Sequence, residues 1–195
     1  MTILILGIVI FLGVHLVQPL ASGLRRAVMA RGGKGLWHAL HGICSILGIA
    51  LIAYGFDASR PSEVLYVAPF FLLHLTLTLM LIASICLAAQ FFPAGKIKAV
   101  TKFPAVLAIK IWALAHLLSN GELNSVLLFG TFLIWAVMLR ISMKKRVLAG
   151  ERVLPVFVSY SYDIAAIVVG TLVYGLVVWK LHALLIGVQP IALPF

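Results

Sequence analysis

Six stretches of this chain are apolar over nearly the length needed to cross a lipid bilayer, which leaves few folds open to it. A spanning helix takes about 20 mostly apolar residues, within a range of about 17 to 25. The stretches are Thr2 to Leu20, Leu36 to Phe56, Pro69 to Phe91, Pro104 to Leu118, Leu123 to Leu139 and Ile164 to Gly187. The fourth is short and carries Lys110, so it is expected to tilt, to be partly buried by its neighbours, or to extend at both ends. Composition excludes the alternatives. The chain is 64% hydrophobic and 10% charged, whereas a soluble domain is about 45 to 50% apolar and about a quarter charged. Too few polar side chains remain to cover a water-soluble globule, and a disordered chain fails on the same counts. The expected fold is all-α, a polytopic membrane helix bundle of about six transmembrane helices forming a single domain over residues 1–195.

The basic residues sort between alternate loops. Arg25, Arg26, Arg31 and Lys34 follow the first stretch; Lys96, Lys98 and Lys102 follow the third; Arg140, Lys144, Lys145, Arg146 and Arg152 follow the fifth. The other loops hold Arg60 beside Asp57, Glu63 and Glu122. By the positive-inside rule the basic loops face the cytoplasm and both termini face the other side. Fifteen Lys and Arg against five Asp and Glu therefore point to anionic lipid as the partner, not to nucleic acid. The first stretch has no basic side chain before it, unlike a secretory signal, and is expected to be a retained helix. Pro and Gly punctuate the segment ends, as at Gly32-Gly33, Pro61, Pro93 and Asn120-Gly121.

Catalytic machinery is sparse. The acids are Asp57, Glu63, Glu122, Glu151 and Asp163, and four of them fall in loops, which argues against a two-carboxylate hydrolase. No phosphate-cradling glycine loop and no CxxC spacing is present, and Cys44 and Cys86 lie in apolar runs where a buried thiol is the ordinary reading. Six histidines remain. His38 and His41, beside Trp37 and Lys34, and His182, after Trp179 and Lys180, suit the interfacial belt. His15, His74 and His116 sit deeper in apolar sequence, where an ionisable side chain is costly and marks a functional candidate. Either they hydrogen-bond neighbouring helices, worth about 0.6 kcal/mol, or a facing pair holds b-type haem inside the bundle. Ala105, Ala108 and Ala113 share a stripe with His116 and leave room for a flat ring or for close helix packing. Lys110 can meet a haem propionate or Asp163, or snorkel to the headgroups; Asp163 can anchor a polar network or serve its helix N-terminus.

The run Lys110-Ile111-Trp112-Ala113-Leu114-Ala115-His116-Leu117-Leu118-Ser119-Asn120-Gly121, followed by Leu127-Leu128-Phe129-Gly130-Thr131-Phe132-Leu133-Ile134-Trp135, resembles the NnrU family of bacterial membrane proteins. Gly13-Val14-His15, with basic residues about ten positions later, fits as well. The resemblance implies association with nitrite and nitric oxide reduction during denitrification. It also implies kinship with the plant zeta-carotene isomerase, a membrane enzyme with histidine-ligated b-type haem. Matched to that relative's motifs, His15 and His116 are the haem ligands. The relative's redox-exchanging cysteine falls on Ala113, and Phe103-Pro104 stands where many relatives have His-Pro, so both positions count against isomerase activity. Depth argues for a different pair. At 1.5 Å per residue His116 lies about 6 Å and His74 about 8 Å from the outer ends of their helices, but His15 about 20 Å from its own. The candidate site is thus His15, His116, His74 and Lys110. The first expected function is a haem protein of nitrogen-oxide metabolism working with a redox partner, the second a haem-dependent isomerase of a carotenoid-like lipid-soluble substrate, the third a cofactor-free transporter or assembly factor.

Overall fold

A computed structural model describes residues 1–191. Within them the chain forms α1 (Thr2–Leu20), α2 (Ser22–Asp57), α3 (Phe70–Phe91), α4 (Lys96–Thr101), α5 (Pro104–Ser119), α6 (Leu123–Leu148) and α7 (Ser161–Leu176). A π-helical turn, Val177–Leu181, then leads into α8 (His182–Ile186). Five helices are long and apolar enough to cross a membrane, the last counted from Ser161 to Ile186, and α5 is a shorter apolar helix of 16 residues. Sixteen residues rise about 24 Å, less than the roughly 30 Å of hydrocarbon. Packing of α5 between α3 and α6 fits the expectation that neighbours would shelter it.

Helix ends run further than the apolar stretches. The second helix begins at Ser22 rather than Leu36, and the sixth continues past Leu139 to Leu148. A helix does not stop where its residues turn polar; it stops where backbone geometry breaks. In α2 that break is internal, at Gly33, whose φ of 72° is a left-handed conformation that favours glycine. The short α4 and the π turn are not visible in the hydropathy.

The helices pack in one row, in the order α2, α1, α6, α5, α3, α7, which is not their order in the chain. Small residues set the spacing between α1 and α2. A Cβ on Gly48 would lie 2.8 Å from Phe11 Cβ, and one on Gly55 would lie 2.3 Å from the Leu4 nitrogen. Glycines seven apart share a helix face, so the two backbones meet closely along it. The core is Leu4, Ile8 and Leu12 of α1 against Val106, Ala113, Leu128, Phe129, Trp135 and Ala136 of α5 and α6. Large apolar side chains such as Ile46, Phe70, Leu172 and Leu184 point outward instead, each more than two-thirds exposed. In water such a surface would aggregate; in a bilayer it faces lipid. This is a multi-pass membrane protein.

The loops gather at two ends. At one, Leu123 N donates to Glu63 O at 2.8 Å, Leu65 N donates to Gly121 O at 2.8 Å, and fully buried Asn124 donates its side-chain amide to Ser59 Oγ at 3.2 Å. Tyr66 donates there to the carbonyls of Leu117 and Asn120, and burial pushes its hydroxyl above the ordinary value, keeping it a donor. At the other, basic end, Asp163 accepts from the backbone nitrogens of Lys96 (2.6 Å) and Ile97 (2.9 Å). Its charge thus meets the open N–H groups that begin α4.

Candidate functional site

His15 stands one helical turn beyond Phe11 on α1, and its Nδ1–H donates to the Phe11 carbonyl at 2.7 Å. That bond orients the ring and leaves the Nε2 lone pair free, the arrangement in which a histidine ligates a metal. Three other rings surround it. Phe11 lies 4.3 Å away between centroids, His41 of α2 lies 4.7 Å away edge-on, and Trp135 of α6 lies 5.8 Å away. Trp37, four residues before His41 and so on the same face of α2, completes the group at 5.7 Å from His41.

His15, Trp37, His41 and Trp135 line a cavity of about 240 Å³ near the basic end, with Arg146 and Arg152 also on its wall. Trp135 is 6% exposed, yet its Nε1–H has no hydrogen-bond partner. A buried donor left unpaired costs about 1 to 3 kcal/mol. The lining thus includes the imidazoles of His15 and His41 and the guanidinium groups of Arg152 and of Arg146, the latter 3.3 Å from Glu151, with the unpaired indole N–H buried behind it. A second cavity of about 410 Å³ shares Gln18, Pro19, Ser142 and Arg146 with the first and opens among further basic residues.

The other expected residues stand elsewhere. His116 on α5 donates its Nδ1–H to Trp112 O at 2.9 Å, leaving Nε2 free like that of His15, and stacks on Phe129 at 4.4 Å. His182 is within electrostatic reach of it. His74 packs edge-on against Phe70 at 5.2 Å on the exposed side of α3, with no bond fixing its ring. Along α6, the Trp135 that meets His15 and the Phe129 that meets His116 are six positions apart, about 9 Å of rise. Rings fill that interval: Phe11 to Phe132 at 5.7 Å and Phe132 to Trp112 at 5.5 Å. The structure thus brings His15 to His41, and separates it from His116 by packed aromatic side chains.

Lys110 is half-buried, lines neither cavity, and joins neither of the two ion pairs among the described residues. Asp163 serves α4 instead of Lys110. Ala108 and Ala113 are buried, Ala113 fully and within the core, so close helix packing takes up that part of the small-residue stripe. Among the described residues no three His, Cys, Asp or Glu converge as metal ligands, so a metal here would need further ligands of its own, as haem iron brings in its macrocycle.

Of the expected histidines, His15 alone lines the smaller cavity. His41 lines it too, and the two rings, 4.7 Å apart between centroids, are too close to flank a macrocycle without moving apart. His41, Trp37 and Trp135 escaped the sequence reading. His41 was assigned to the interface by its neighbours Trp37 and Lys34; the available signal was the four-residue spacing of Trp37 and His41, which puts both on one helix face.

A bundle of membrane-spanning helices carrying a histidine- and tryptophan-lined cavity at its basic end is the class that fold and site define. Within that class, the family model described as NnrU protein matches residues 3–190, and the chain belongs to the NnrU family. Comparison with curated proteins and with solved structures finds no match.

Proposed function

We propose that this NnrU-family protein binds one b-type haem on His15, in the cavity shared with His41, Trp37 and Trp135, and supports nitrite and nitric oxide metabolism in a bacterial inner membrane. The observation that carries the reading is the unpaired, buried Trp135 N–H beside an imidazole whose Nδ1 is already committed to Phe11. When bound, haem supplies reversible one-electron chemistry and an iron able to meet a diatomic ligand. The chain's own residues do the rest. His15 would offer Nε2 in a fixed tautomer, Trp135 would offer its donor once its ring shifts, and Arg152 would supply positive charge for a carboxylate of the ring. His41 borders the same cavity, and His116 is the second ligand that the relative's motif implies. Buried Ala113 supplies no thiolate, which disfavours the isomerase reading.

The test is the visible spectrum of detergent-purified protein, oxidised and then reduced with dithionite. A Soret band that His15→Ala abolishes and His74→Ala leaves intact is the expected result. His41→Ala and His116→Ala should each leave the Soret band in place, and loss of low-spin bands in either would identify that histidine as a second axial ligand. A protein that stays colourless after haem is added overturns the reading.

A further inference from the structure

The larger cavity at the basic end draws its cations from separate parts of the chain. Arg25 and Arg26 come from the start of α2, Lys145 and Arg146 from the end of α6, and the cavity holds about 410 Å³ between them. One carboxylate, Glu151, shares the wall and sits 3.3 Å from Arg146. Arg26 donates to Ser22 Oγ at 3.2 Å and Arg25 lies over Trp37 at 5.9 Å, so neither is neutralised by its contact. Among the described residues no acid lies in ion-pair range of Arg25, Arg26 or Lys145. Four cations against one carboxylate leave three positive charges around one concavity. Like charges brought together this way repel one another and are relieved by an anion.

The surroundings specify which anion. The cavity lies where α1 and α6 leave their apolar stretches, and Leu20, Leu24 and Leu148, next to its lining residues, are exposed. Charge lines it and exposed apolar side chains neighbour it, which matches a phosphate headgroup with its acyl chains against the bundle. Basic pockets between helices on the positive face of a membrane take headgroups of this kind. We propose that this cavity binds the headgroup of an anionic phospholipid carrying two phosphates. Three uncompensated charges match two phosphates better than one, and a zwitterionic headgroup brings its own cation into the same space. The proposal stands on these residues and does not rest on haem.

The test is titration of delipidated full-length protein in detergent with a fluorescent cardiolipin. Competitors are phosphatidylglycerol, phosphatidylcholine and inorganic phosphate. Each basic residue near an anionic membrane surface is worth about fivefold in affinity. Replacing Arg25, Arg26 and Lys145 together by Gln is expected to weaken binding about a hundredfold. Replacing Lys34, Lys102 and Lys144, which are basic residues of the same end of the molecule but do not line the cavity, should change it less than about threefold. Helical content by circular dichroism checks the fold. Should the triple variant misfold, R26Q and K145Q singly should each cost about fivefold. Equal losses in the cavity and control variants would overturn the proposal, as would competition by phosphatidylcholine matching that by phosphatidylglycerol. Inorganic phosphate competing as well as lipid would assign the cavity to a soluble anion and overturn the lipid assignment.

Discussion

At the scale of single residues, His15 and His116 are prepared in the same way, and their neighbours distinguish them. Each donates Nδ1–H to the carbonyl four residues back and leaves Nε2 open. His15 opens beside a cavity with an unpaired indole N–H, whereas His116 is stacked on Phe129. Trp135→Phe isolates that N–H. In ligand-free protein, loss of an unpaired donor offsets the smaller ring, so the thermal midpoint should change little. Haem affinity should fall about fivefold, one hydrogen bond's worth of about 1 kcal/mol, in a fluorescence-quenching titration. An unchanged affinity with a raised midpoint would mean that the N–H is simply a strained orphan. Histidines in apolar sequence were visible as candidates from the outset. The importance of Trp135 was not, because an unpaired donor is a property of what fails to surround it.

Among the helices, the decisive contact is the close approach of α1 to α2, because it brings His15 within 4.7 Å of His41. Gly55 touches the backbone of Leu4, and Gly48 that of Phe11. Gly55→Leu should force the helices apart at a cost of about 1 to 3 kcal/mol, read as a lower thermal midpoint in detergent. The same variant should weaken haem binding although it touches no cavity residue. A variant with the wild-type midpoint would show that the helices do not depend on that contact. Each of the six apolar stretches falls on a helix, five of them long enough to cross a membrane and α5 shorter. They misplaced the near end of α2 and the far end of α6, since basic residues continue a helix beyond the hydrocarbon that hydropathy measures. Nor could they show α4, whose start depends on Asp163, 67 residues away from Lys96.

For the molecule as a whole, the loops bearing Glu63 and Glu122 meet at one end, and the segments bearing Arg25, Arg26 and Lys145 meet at the other. With the basic end facing the cytoplasm, Glu63→Cys should react with an impermeant maleimide in intact cells. Lys144→Cys should react only after lysis. Cys44 and Cys86 are one half-buried and one buried, within spanning helices, and should contribute little background. The reverse pattern would invert the orientation and place both cavities on the outer side.

The sequence by itself determined that the chain is a multi-pass helical membrane bundle and which segments carry its basic residues. Each follows from local free energies: the apolar length that matches the hydrocarbon, and the cost of moving a charge across it. Only the tertiary structure decided which histidine meets which. Neighbour order in the row of helices comes from packing between segments distant in the chain, where glycines admit a backbone and aromatic rings close the gaps. That packing puts α1 between α2 and α6, seats His15 with His41 and Trp135, and leaves His116 beyond a wall of rings.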